Sequence, residues 1–173
     1  MPLLHTALRN LLTAALAATL TACASYSGSG LLPGRSTDAE ARALMGPPFA
    51  VHQAGPGKDF AYALEYSRGP QGRHTYMARF DGGGRLVRID QVIDPSSVKE
   101  IRPGASTKED VRRILGRPGR VSFPRLEKGE AWEYFGFDYA RKVILHVAFD
   151  VNGIATSAGM AMDPIEDDRA NFW

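Results

Sequence analysis

Leu32-Pro33-Gly34-Arg35-Ser36-Thr37 and Arg102-Pro103-Gly104-Ala105-Ser106-Thr107 share Pro-Gly and Ser-Thr at one spacing, about 70 residues apart. Each runs into a short helical pattern, with Ala41, Leu44 and Met45 answering Val111, Ile114 and Leu115 at i, i+3 and i+4. Thr37 with Glu40, and Ser106 with Glu109, have capping-box spacing, in which a hydroxyl and a carboxylate satisfy the free amides of a helix start. Both patterns stop alike, at Gly46-Pro47-Pro48 and Gly116-Arg117-Pro118. Glycine suits the left-handed position that ends a helix, and proline prevents continuation. Leu64-Glu65-Tyr66 then answers Trp132-Glu133-Tyr134, and Phe80-Asp81-Gly82-Gly83-Gly84 answers Phe149-Asp150-Val151-Asn152-Gly153. Four landmarks in one order at a nearly constant offset are the signature of an internal repeat.

The later landmarks fall in strands. Val143, Leu145, Val147 and Phe149 alternate with Ile144, His146 and Ala148, a half-buried β pattern. Asn152-Gly153 and Gly83-Gly84 fit tight hairpin turns that need positive φ. The fold class is therefore α+β: two tandem units, each a short helix followed by an antiparallel sheet of about four strands. The units span 31–94 and 95–162 and meet near Asp94-Pro95-Ser96-Ser97. A unit of about 70 residues is near the size at which a lone core is marginal. The two halves should therefore pack together, with Phe80, Phe149, Leu44 and Ile114 all buried.

Outward from the repeat, the N-terminus is not part of the fold. Arg9 and the amino group form a positive region, followed by an apolar run of about ten residues from Leu11 to Leu20. A bilayer span needs roughly 20 residues, so residues 1–22 read as a cleavable signal peptide. The run ends in Leu20-Thr21-Ala22-Cys23, which resembles a bacterial lipobox, and Cys23 is the one cysteine of the chain. A lone cysteine excludes an intramolecular disulfide framework. The resemblance implies a lipid on the Cys23 thiol, cleavage before it and acylation (palmitate-like chains) of the new amine. Ala24 stands where Asp would imply inner-membrane retention, so the resemblance implies the outer membrane. Two or three acyl chains anchor persistently where one does not. Residues 23–30 have the Ser/Gly composition of a flexible tether.

Pro-Gly-x-Ser-Thr-x-x-x-Val-x-x-x-Leu-Gly-x-Pro, then Trp-x-Tyr, then Phe-Asp-x-x-Gly, resembles the SmpA/OmlA, or BamE-like, family of small outer-membrane lipoproteins. The likeness covers Arg102 to about Met160 well and Leu32 to Val92 more loosely, with Ala41 and Leu64 replacing the usual aliphatic and Trp. The α-plus-β unit in tandem also resembles the β-lactamase inhibitory proteins. The first resemblance implies an accessory or scaffold role in outer-membrane protein assembly or envelope integrity, on the periplasmic side, with outer-membrane assembly proteins as partners. The second implies an alternative: an inhibitor-like binder of a periplasmic enzyme, using a concave side between two sheets.

Chemistry-bearing motifs are few. The chain of 173 residues carries 21 Lys plus Arg against 19 Asp plus Glu, which excludes a nucleic-acid binder relying on bulk charge. His52, His74 and His146 lack metal-ligand spacing, and no G-x-S-x-G occurs. Gly82-Gly83-Gly84 lacks the dinucleotide spacing, because Val87 stands at the third glycine position. The expectation is a protein with no catalytic residues, no cofactor and no metal. Asp163, Glu166, Asp167 and Asp168 read as a solvated acidic tail over 163–173. Two features point to binding. Trp132 and Tyr134 share one strand face while Phe135, Phe137 and Tyr139 share the other, and one of these sets should be exposed or covered by the neighbouring unit. Lys99 to Lys128 holds an excess of about five positive charges, with Arg112, Arg113, Arg117 and Arg120 around the second helix. Arginine beside aromatics is the composition of interface hot spots, and anionic phospholipid is the other surface such charges would meet.

Overall fold

A computed structural model describes residues 26–69, 72–124 and 128–164. Helix α1 (Asp38–Met45) precedes β1 (Ala50–Gln53), β2 (Tyr62–Ser67), β3 (Thr75–Phe80) and β4 (Leu86–Gln91). A one-turn helix α2 (Pro95–Val98) leads to α3 (Lys108–Leu115), then β5 (Arg120–Ser122), β6 (Gly129–Asp138), β7 (Arg141–Asp150) and β8 (Ala155–Met162). The class is α+β, with two antiparallel four-stranded sheets ordered β1-β2-β3-β4 and β5-β6-β7-β8. The expected signal peptide, Cys23 and residues 165–173 lie outside the described residues.

The caps explain why α1 and α3 start where they do. Thr37 N–H donates to the Glu40 carboxylate at 2.7 Å, and Glu40 N–H returns to Thr37 Oγ1. In the second half the box is Thr107 with Asp110, at 2.9 and 3.1 Å, one residue later than the expected Ser106 with Glu109. Ser106 is otherwise engaged: its Oγ accepts from Arg102 N–H at 2.9 Å, as Ser36 accepts from Leu32 N–H at 3.0 Å. The Pro-Gly-x-Ser segment is thus a closed turn, and the Thr after it caps the helix.

Correspondence between the halves extends to single backbone bonds. Gly34 N–H donates to Leu86 O and Gly104 N–H to Ala155 O, both at 2.7 Å. Register shifts fall at Arg79/Phe80 and at Ala148/Phe149. The hairpin loops hold three residues each and not two, with only the last glycine, Gly84 or Gly153, at positive φ. Asp81 Oδ1 accepts from the amides of Gly83 and Arg85, and Asp150 Oδ1 from those of Asn152 and Ile154. The aspartate side chain, acting as a backbone mimic, selects the wider turn.

Burial separates the two sheets. Leu64, Tyr66, Ala78 and Phe80 of the first sheet pack with Ala41 and Met45 of α1. Its opposite face supplies Ala63 and Met77 to a second core, around Val111 and Leu115 of α3. Trp132, Tyr134, Leu145, Val147 and Phe149 of the second sheet complete that core. The order of layers is therefore α1, first sheet, α3, second sheet. Phe80 and Phe149 are buried as expected, whereas Leu44 and Ile114 are half-buried, because Met45 and Leu115 take the central positions.

Two boundaries and one surface need correction. The fold begins inside the expected tether: the Tyr26 hydroxyl donates to Tyr66 O at 2.9 Å, and its ring meets Tyr76 edge-on at 5.4 Å. Burial pushes that hydroxyl up to about 12, against the opposing pull of Arg68. Asp163 is 2% exposed and forms an ion pair with Arg73 of the β2–β3 loop, so the last strand's end is fixed and not a solvated tail. The gap between the sheets, finally, is not an open concave surface, because α3 fills it.

Candidate partner surface on the second half

The C-terminal end of α3 is where the halves are clamped. Glu65, buried in β2, accepts Arg117 N–H at 2.9 Å, and His52 Nε2 lies 2.8 Å from its other oxygen. Tyr134, on the other side, donates its hydroxyl to Gly116 O at 3.2 Å. Burial holds that hydroxyl well above its usual pKa. A Cβ on Gly116 would stand 2.8 Å from the Glu65 carboxylate, and Gly116 has φ +77, so glycine is required twice over. Gly136 likewise lets Ile93 approach the second sheet, at 2.5 Å from where a Cβ would be.

This clamp decides which of the expected surface residues are available. Trp132 and Tyr134, 2% and 1% exposed, belong to the core and present no partner surface. The indole N–H of Trp132 donates to Glu130, and Arg112 covers the ring at 4.9 Å from its centroid. Arg112 itself is exposed and closes the Trp132 ring off from solvent. Arg113 is spent locally, on Asp110 at 2.9 Å and Glu109 at 3.2 Å. Arg117 is exposed and stacks on Phe49 at 4.7 Å.

Phe135, Phe137 and Tyr139 lie on the opposite face of the same strand, as the alternation requires. Phe135 and Phe137 are half-buried. Arg120 stacks on Phe135 at 5.5 Å, Arg73 lies over both rings, and His74 meets Phe137 at 5.4 Å. Tyr139 is 100% exposed at the tip of the longest hairpin, at φ 53. A bulky residue in the left-handed region is strained, and here nothing packs on it in return. The helix end and the hairpin thus carry alternating arginines and aromatic rings, a composition enriched at interface centres.

Sequence reading missed Glu65, Arg73 and Asp163, three of the charged residues that join the halves. Glu65 did carry a signal, as a lone charge in the apolar run Ala63-Leu64-Glu65-Tyr66. Among the described residues no group of His, Cys, Asp and Glu is placed to hold a metal. No described helix is long and apolar enough to cross a membrane.

Residues 91–159 match the family described as the outer membrane protein assembly factor BamE domain. That segment starts at the last residue of β4 and takes in α2, α3 and nearly all of the second sheet, which is therefore BamE-like. No curated protein matches the chain. A crystal structure described as a putative osmotically inducible lipoprotein, OsmE, aligns at 22% identity with a TM-score of 0.35. The alignment covers 43% of this chain and 84% of that one.

Proposed function

From a BamE-like second half, we propose a periplasm-facing lipoprotein, held to the outer membrane through acylated Cys23. It works without catalysis as an accessory or scaffold in outer-membrane protein assembly and envelope integrity. The carrying observation is the family match over residues 91–159, supported by the lipobox-like run that ends in Cys23. The same reading takes residues 31–94 and 95–162 as a duplicated unit, supported by the bond-for-bond agreement of caps, bulges and turns. The partner is a protein of the assembly machinery, met by Arg112 and Arg117 at the helix end and by Phe135, Phe137 and Tyr139 of the neighbouring hairpin.

The test is affinity purification of the full chain from envelopes in mild detergent. Co-recovery of outer-membrane assembly proteins is expected. Reversing Arg112 and Arg117 together should reduce it roughly thirtyfold, the loss that corresponds to about 2 kcal/mol. Undiminished recovery from a folded double variant would remove this surface from the proposal. Loss of binding to anionic vesicles with protein partners retained would make it a lipid contact instead. Cys23→Ala should abolish lipid labelling and membrane fractionation. An unmodified N-terminus on the wild-type chain would overturn the anchor.

A further inference from the structure

A cleft of about 520 Å³ opens where the exposed side of α3 meets the first sheet. It exists only because the chain has two halves: Phe60, Ala63 and Arg79 line it from one, and Lys99, Arg102 and Ile114 from the other. Its size is that of a small-molecule site. Its floor is apolar and stiff. Ala63 belongs to the core around α3, with Phe60 and Ile114 packed against it. The Phe60 ring is further held by Arg79 at 4.7 Å and Arg88 at 5.5 Å.

The rim charges do not cancel. Glu100 is taken by Lys58 at 3.1 Å and Asp110 by Arg113 at 2.9 Å, while Arg79 is neutralised by Asp90 at 2.6 Å. Lys99 and Arg102 remain, exposed, with no carboxylate of the described residues in ion-pair reach. Between them Ile101 is buried, and the Arg102 amide is tied to Ser106 Oγ at 2.9 Å. The two free cations are thus mounted on a fixed segment beside an apolar floor.

We infer that this cleft binds a single-chain anionic amphiphile, its acidic head between Lys99 and Arg102 and its apolar body along Phe60 and Ile114. A carboxylate or a phosphate head satisfies the same pair of cations; a polyanion would find the remaining charges already matched. This inference is independent of the partner surface above, which lies on the helix end and the second sheet.

The experiment uses the full chain in a neutral maltoside detergent and a diazirine-bearing decanoate, with cross-linked peptides mapped by mass spectrometry. Labelling is expected on peptides that contain Phe60 or Ile114, and it should be competed by decanoate or decyl phosphate, whichever head fits. Lys99→Glu with Arg102→Glu should lower the labelling at least tenfold, with circular dichroism confirming the fold. Lys99→Gln with Arg102→Gln supplies the same comparison if reversal unfolds the protein. Equal labelling by a neutral diazirine-bearing decyl glucoside, labelling elsewhere, or labelling indifferent to both double variants would overturn the inference. Competition by inorganic phosphate alone, as strong as by decyl phosphate, would also overturn it, because the apolar floor would then contribute nothing.

Discussion

Glu65 and Glu133 hold corresponding places in the two halves, between Leu64 and Tyr66 and between Trp132 and Tyr134, yet they live in different surroundings. Glu65 is sealed under α3, where it accepts a backbone amide at the end of that helix. Glu133 lies on the outer face of the second sheet, paired with Arg120 at 2.8 Å. The first sheet carries helices on both faces and is buried along nearly all of β2 and β3. In β6 burial alternates, as it does in a sheet with one core face. Position in the stack, and not local sequence, sets what each of these two glutamates does.

The largest break in this comparison should come from Trp132→Ala, which empties the core shared by both halves. A loss of about 3–5 kcal/mol is expected in chemical denaturation. Leu64→Ala in the first core should cost about 2–5 kcal/mol. Separate transitions for the two substitutions would contradict a shared core. The glutamates sharpen the contrast further. Glu65→Ala leaves the Arg117 amide and His52 without their buried acceptor and should cost roughly 2–4 kcal/mol. Glu133→Ala removes a pair whose arginine is exposed and whose carboxylate is half-buried, and it should cost less than that, about 1 kcal/mol. Equal losses would mean that the seam is wetter than the geometry shows.

The caps test the opposite expectation, that the halves behave alike. Thr37→Ala and Thr107→Ala should each cost about 1 kcal/mol, with similar values for the two. Smallest of all is the pH response. Hydrogen bonds from Thr107 hold Asp110 below its usual range, and those from Thr37 do the same for Glu40. Their contribution is present above the unfolded pKa and is lost as pH falls through the folded one, so stability should decline below about pH 4. Half-buried Tyr26 and buried Tyr134 are raised, so unfolded tyrosines ionise first and stability should decline above about pH 10. Thermal melts across both ranges, on wild type and Thr107→Ala, measure the two limbs.

Much of the architecture was legible because it is local. Caps and helix stops act within four residues, so Thr37 and Gly116 could be read where they stand, whereas the turns were read from their glycines and not from the aspartates that widen them. The one-residue error at Ser106 arose because serine and threonine both satisfy the box, and only the turn at Arg102 shows which hydroxyl is free. Alternation in β6 placed Trp132 and Tyr134 on one face but could not say which face met the core, since both faces are aromatic. The clamp at Glu65 and the tie from Arg73 to Asp163 are long-range and were invisible for that reason. The partner surface was half legible: its arginines were found, but two of its expected aromatics serve the interior.

Because α3 fills the space between the sheets, the two halves cannot be completed one at a time. A chain that emerges N-terminus first can pair β1 to β4 and seat α1, but the side bearing Ala63, Met77 and Glu65 stays naked until residues 108–117 arrive. For that interval the nascent molecule shows a sticky, half-charged sheet to whatever surrounds it, a hazard typical of long-range β assembly. A fragment ending at β4 should therefore aggregate or recruit a chaperone, while the C-terminal half, which carries its own helix, waits only for a lid.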